Sequence, residues 1–244
     1  MHALTATELL GAWERCLSQS AARRPVTLLS LSDGDTTGER VAQLSIGQRD
    51  AALLSLRERA FGPRMNGLAT CPTCGLEVQL DFTVSDVRVA DSPATSALHE
   101  LNLDDCAVTF RLPNTLDLEA LDAQADASAT RRALLERCLV SARHRGREMP
   151  ADQLPQDLVT AISERMSAVD PQAEVDLALR CPQCDQHWGA PLDIASFLWT
   201  ELHAWALRLL RDVHELASAY GWPEAEILAL TPARRQAYLE LIER

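Results

Sequence analysis

The amino-acid sequence predicts a mostly helical α+β protein, and three observations carry that reading. Helix-forming Ala, Leu, Glu and Arg dominate a 244-residue chain that is 47% apolar and only 5% aromatic. Apolar positions recur every three or four residues towards both ends, but every second residue in three short central segments. Two of these segments adjoin C-P-x-C pairs at 71–74 and 181–184. The chain therefore divides into helical regions at 1–65 and 194–244 around a central region, 66–193. That centre is a split zinc ribbon with a small antiparallel sheet and an inserted α/β segment, whose part at about 113–170 is expected to be helical.

The first helix starts at Thr5, whose hydroxyl can cap it while Glu8, three residues on, completes a capping box. Leu9, Leu10 and Trp13 supply its apolar stripe. SDGDTTGER (32–40) reads as a loop. Asp33, Asp35 and Gly38 stand at the first, third and sixth positions of a calcium loop, but Leu44 occupies the twelfth, where a bidentate Glu is needed. A second helix spans 46–62 and stops at Gly62–Pro63.

The period then becomes two. Leu76, Val78, Leu80, Phe82 and Val84 alternate with polar residues, which predicts a half-buried strand over 76–84. CAVTFRLP (106–113) and EVDLALR (174–180) repeat the signal. Residues 116–169 return to helix, interrupted near 144–150. The arginine-rich stretch 131–147 reads as a solvated helix face with a basic last turn. From Ile194 to Tyr220 one apolar face persists for about seven turns. Gly221 stops that helix, Pro223 opens a short one, and Thr231–Pro232 starts the last.

Each C-P-x-C pair lies beside an extended segment, which is what a zinc knuckle requires: a tight turn aims two thiolates at one point. Brought together, Cys71, Cys74, Cys181 and Cys184 would ligate one tetrahedral Zn²⁺, with the strands after Cys74 and before Cys181 forming the ribbon's sheet. About 106 residues separate the pairs, against roughly 15–20 in a compact ribbon. Closing the longer loop costs only about 1.5 kcal/mol more, because the cost grows with the logarithm of length. A structural zinc contributes about 10 kcal/mol or more. The rival is thiol–disulfide exchange, which places its pair at a helix N-terminus. His187 is either a substitute ligand or a neighbour of the site. Cys16, Cys106 and Cys138 fall on apolar faces and read as small buried hydrophobes.

Four thiolates close the coordination sphere, so this zinc is expected to be structural and the protein not an enzyme. VHELAS (213–218) and HELNL (99–103) each lack the second histidine of a zinc protease motif, having Ser218 and Leu103 instead. The formal net charge of −12 argues against nucleic acid and anionic membrane surfaces as partners. The knuckle tips read Pro-Thr and Pro-Gln, with Trp188 the one stacking surface nearby. A zinc-ribbon nucleic-acid-binding regulator is the alternative from another functional class. No run of about 18 apolar residues and no signal-peptide pattern is present, which predicts a cytoplasmic protein. Trp199, Trp205, Tyr220 and Trp222 lie close together in sequence; Trp205 falls on the buried stripe, whereas Trp199 lies off it, as an interface anchor would.

The C-terminal segment HAWALRLLRDVHELASAYGWPEAEILALTPARRQAYLELI (203–242) resembles the C-terminal signature of T4-type baseplate hub assembly chaperones and related phage baseplate proteins. The matching positions are His214, Leu216, Ala217, Tyr220, Trp222, Glu226, Ile227, Leu228, Arg234, Arg235, Tyr238 and Leu239. TELLGAWERCL, RDAALLSLRERAFGP, TCPTCG, TFRLPNTLDLEAL and LRCPQCDQHWGAPLDIASFLWTEL resemble a longer, zinc-knuckle-bearing subgroup associated with contractile injection systems. The phage chaperones do not depend on the four cysteines, which is a departure. The resemblance implies a particle-associated baseplate component or assembly chaperone whose partners are hub or other tail proteins, with no small-molecule substrate. It adds Arg234, Arg235 and Tyr238 to Trp199, Tyr220 and Trp222 as candidate contact residues.

Overall fold

The structure is a computed structural model describing residues 4–31, 38–89, 97–121 and 126–242. Four helices open the chain: α1 (Ala6–Leu17), α2 (Arg24–Leu29), α3 (Gly38–Ala42) and α4 (Ile46–Phe61). The expected capping box is present, the Thr5 hydroxyl accepting from the Glu8 amide at 3.2 Å while the Glu8 carboxylate accepts from the Thr5 amide at 2.8 Å. Ser45 and Gln48 repeat the device for α4, and Gly62 ends it with φ +85°, a conformation glycine adopts without strain. Asp33 and Asp35 lie outside the described residues, and Gly38 begins α3.

Next come the hairpin β1 (Arg64–Thr70) and β2 (Glu77–Thr83), the short α5 (Val84–Val87), β3 (His99–Leu103), β4 (Cys106–Phe110), α6 (Thr115–Glu119) and α7 (Ala127–Cys138). Then β5 (Leu139–His144), β6 (Arg147–Glu148), α8 (Gln156–Val169), β7 (Asp176–Arg180) and β8 (His187–Pro191) follow. The 27-residue α9 (Ile194–Tyr220), α10 (Glu224–Ala229) and α11 (Pro232–Ile242) complete the chain.

Two expectations are corrected. The strands after Cys74 and before Cys181 do not pair with each other; β1 pairs with β2, and β7 with β8, as separate antiparallel hairpins. A knuckle reverses the chain on itself, so its two flanks are the nearest partners, and the local ladder forms. Within 116–169, residues 139–144 are a strand, not helix, and complete a sheet of order β3-β4-β5-β6. Arg145 (φ +51°) and Gly146 (φ +77°) make the tight turn between β5 and β6, both central residues sitting in the left-handed region that a twisted hairpin needs.

The main core joins α1 to α4 with α9: Leu9, Ala12, Leu53, Leu54, Leu198 and Leu202 are all buried. Its polar links are specific. Buried Arg57 on α4 holds Glu201 on α9 through two bonds, at 2.9 and 2.8 Å, and also donates to the Gly62 carbonyl. The Trp13 indole donates to His203 Nδ1 at 2.9 Å. Cys16 and Cys138 are fully buried, burial pushing both thiols up to about 11, while Cys106 is half-buried.

The sheet β3–β6 has its own core of Val108, Phe110, Ala142, Leu158 and Ile162. The insertion meets the start of α4 at two places: the Ile46 amide donates to the Pro113 carbonyl at 3.1 Å, and the Gly47 amide to Asp170 Oδ2, just after α8, at 2.9 Å. Gln172 acts like a strand, its carbonyl accepting from the Val89 amide and its NH₂ donating to the Val87 carbonyl. Asp117, 1% exposed, is gripped by Arg111 at 2.6 and 2.8 Å and by Arg137 at 3.0 Å. Two residues of the arginine-rich stretch are thus engaged by carboxylates, Arg137 here and Arg145 by Asp105.

A Cβ at Gly47 would lie 2.1 Å from Asp170 Oδ1 and 2.9 Å from the Ala173 amide. Gly47→Ala should therefore lower stability by about 1–3 kcal/mol in chemical denaturation. Burial alone would raise the Asp117 pKa, but the Arg111 bonds, the Asn114 amide and Arg137 outweigh it and hold the carboxyl below its ordinary value. A depressed folded-state pKa stabilises above the unfolded value, about 3.9, and that contribution fades as pH falls through the folded one. Asp117→Asn should thus melt well below wild type at pH 7, with the gap narrowing below about pH 4.

Candidate metal centre

The two knuckles are built alike. The Cys71 amide donates to the Leu76 carbonyl at 2.9 Å, and the Gly75 amide to the Cys71 carbonyl at 3.0 Å. In the second, the Cys181 amide donates to the Gln186 carbonyl at 2.8 Å and the Asp185 amide to the Cys181 carbonyl at 3.1 Å. The residue after each second cysteine has positive φ, Gly75 at +74° and Asp185 at +63°. Aspartate is one of the few side chains that accept this conformation, and here its carboxylate is bonded by Arg180. Local sequence thus folds each knuckle, and neither pair sits at a helix N-terminus, where a redox pair would be expected.

The four sulfur atoms lie within 4.8 Å of one another. Cys71 Sγ is 3.6 Å from Cys184 Sγ, and Cys74 Sγ is 3.6 Å from Cys181 Sγ, so each close pair spans the two knuckles. These separations exceed the roughly 2.05 Å of a disulfide. They approach the edge of a tetrahedron of thiolates about 2.3 Å from a central ion, which is about 3.8 Å. Cys71 and Cys181 are buried, whereas Cys74 and Cys184 face outwards. Among the described residues this is the cluster able to hold a metal ion, and His187 is not part of it.

Electrostatics point the same way. The amides of Cys74 and Thr73 bond the Cys71 sulfur and lower its pKa. Those of Cys184 and Gln183 do the same for Cys181, bringing it down to about 6. Cys74 and Cys184 each receive one amide, from Leu76 and Gln186, but burial and the neighbouring thiols outweigh it. Cys184 is pushed up to about 12. Two thiols ionise readily and the other two resist adding charge beside them. A divalent cation at the centre removes that conflict, so the donor set fits a metal ion.

The six candidate contact residues separate into two places. Trp199 is half-buried, with the Arg24 guanidinium 4.3 Å above its ring and His203 alongside. Tyr220, Trp222 and Tyr238 form an aromatic cluster, Trp222 lying 4.7 Å from Tyr220 and 4.9 Å from Tyr238. Arg234 is exposed, whereas Arg235 is 6% exposed and bonds Asp212 on α9 at 3.2 Å. Trp205 packs edge-on against Phe61 in the main core.

Two knuckles meeting at one four-sulfur cluster thus carry a helical layer and an inserted sheet. Residues 8–199 match the family described as T4 bacteriophage base plate protein, and the chain belongs to that family. The match takes in both knuckles, the insertion and the start of α9; the tail segment that resembles the hub chaperones lies beyond it. No curated protein and no solved structure matches the chain.

Purified protein should contain about one metal ion per chain by elemental analysis. Cys181→Ser should lose most of that metal and melt at a markedly lower temperature, since one ligand of the clamp is gone. A variant that kept wild-type melting would show that the cluster does not hold the fold.

Proposed function

We propose that the protein is a non-enzymatic component or assembly chaperone of the baseplate of a contractile, phage-tail-like injection particle, acting through protein–protein contacts. The observation that carries this is the family match over residues 8–199, which includes both knuckles. The ion is Zn²⁺, since four thiolates near tetrahedral separations suit zinc and leave no position open for a substrate. No helix among the described residues is long and apolar enough to cross a membrane. The exposed tips Pro72, Thr73, Pro182 and Gln183 carry no cation for a phosphate backbone, which favours the protein-binding reading over the nucleic-acid one.

Affinity purification of the tagged, full-length chain from cells expressing its neighbouring genes is the test. Baseplate, tube or sheath proteins identified by mass spectrometry should be retained through washes at about 0.5 M salt, where exposed charge pairs are screened. Salt-sensitive retention of DNA with no tail protein recovered would overturn the proposal.

A further inference from the structure

The four hairpin strands leave four open edges, and one of them differs from the rest. The Cys71 amide bonds Leu76 and the Val84 amide bonds Pro63, so the ladder pairs the odd-numbered residues of β1 with β2. The amides and carbonyls of Asn66 and Leu68 therefore point away from β2 and have no partner among the described residues. By the same alternation, outward positions on β2 include Glu77 and Asp81, those on β7 Asp176 and Arg180, and those on β8 His187 and Pro191. Charge and proline are the usual means of blunting an edge. On β1 the charge, Arg64, stands at one end, and two successive outward positions, Asn66 and Leu68, carry neither, against one each on β7 (Ala178) and β8 (Gly189); Leu68 is 71% exposed.

This edge borders a groove of about 530 Å³ between the two hairpins and α9. Gly67, Ala69, Ala190 and Ala204 keep it open, and Phe82 and Phe197, 6.4 Å apart, make it apolar. A Cβ at Gly67 would meet only Phe82, at 4.0 Å, so the space above it is clear. Two charged residues line the groove, both acidic. Glu201 is paired with Arg57, whereas Asp193 accepts from the Ser196 amide and hydroxyl and has no cation partner among the described residues.

We infer that the β1 edge and this groove receive an extended, apolar segment bearing Lys or Arg, which adds a strand to β1 and sets a cation near Asp193. Backbone bonds to Asn66 and Leu68 supply the affinity, and the apolar floor selects alternate side chains. A second copy of this chain is disfavoured by charge, since each carries −12. The source of the strand, another protein of the tail particle, rests on the baseplate reading; the groove itself does not.

The test uses metal-loaded full-length protein and a synthetic heptapeptide of alternating Val and Lys, with a Val–Glu peptide as the charge control. Amide exchange followed by NMR should show protection of Asn66 and Leu68 on adding the Lys peptide, and not on adding the Glu peptide. Gly67→Val, which fills the groove, and Leu68→Pro, which removes an outward amide, should each weaken binding by about tenfold or more. Gln79→Pro, the same change on the opposite edge, should leave it unaltered. Unprotected Asn66 and Leu68 amides, equal binding of the Glu peptide, or equal damage from Gln79→Pro would overturn the inference. Protection that rises with protein concentration alone would identify a second copy as the occupant and also overturn it. Recovery of tail proteins undiminished by Gly67→Val would refute a tail-protein strand in the groove. Peptide binding without any tail protein recovered would leave the groove standing and remove the baseplate reading instead.

Discussion

Four sulfur atoms drawn to within 4.8 Å of one another join stretches of chain more than 100 residues apart, Cys74 facing Cys181 across 107 positions. Left to themselves, four thiols so close resist ionising together, as the opposed shifts at Cys181 and Cys184 express. A cation held there would turn that repulsion into a crosslink between the two hairpins. Both hairpins grow out of the clamp, and α9 begins three residues after β8, so its start is set by the second knuckle. From there α9 reaches the N-terminal helices, where Arg57 and Trp13 hold it from α4 and α1.

The inserted sheet follows a different logic. With its own buried cluster around Phe110 and Ile162, it needs only orientation from the rest of the chain. Asp170 supplies this by entering the N-terminus of α4, where unpaired amides and the helix dipole favour a carboxylate. Glycine at position 47 is what allows the approach. Gln172 then ties the same turn to the segment after α5. A clamp at one end and a carboxylate lock at the other make a module that holds several surfaces in fixed relation, which suits a proposed role in positioning tail proteins.

The helices at both ends were legible because each carries its own signals: the Thr5–Glu8 box, the Gly62 stop, and the stripe from Ile194 that ends at Gly221. The four cysteines were legible because two identical spacings predict one shared ion. β1 was missed, since RMNGLAT has neither alternation nor a β-branched residue before its last position and is held as a strand by β2. Residues 139–144 were misread because an arginine- and alanine-rich run has helical propensity, which the vacant edge of β4 overrode. Arg235 stood among candidate contact residues on the basis of resemblance, and its bond to Asp212 became visible only once α9 and α11 were set side by side.

Short-range chemistry, readable along the chain, sets the caps, stops, amphipathic stripes and the geometry of each knuckle. These depend on residues within a few positions of one another, and their free energies are decided before the chain closes. The crosswise meeting of the knuckles, the pairing of each hairpin within itself and the long unblunted run of the β1 edge beside an apolar groove emerged only on folding. Such features arise from competition among distant partners for the same backbone bonds and buried space, and no local pattern records who wins.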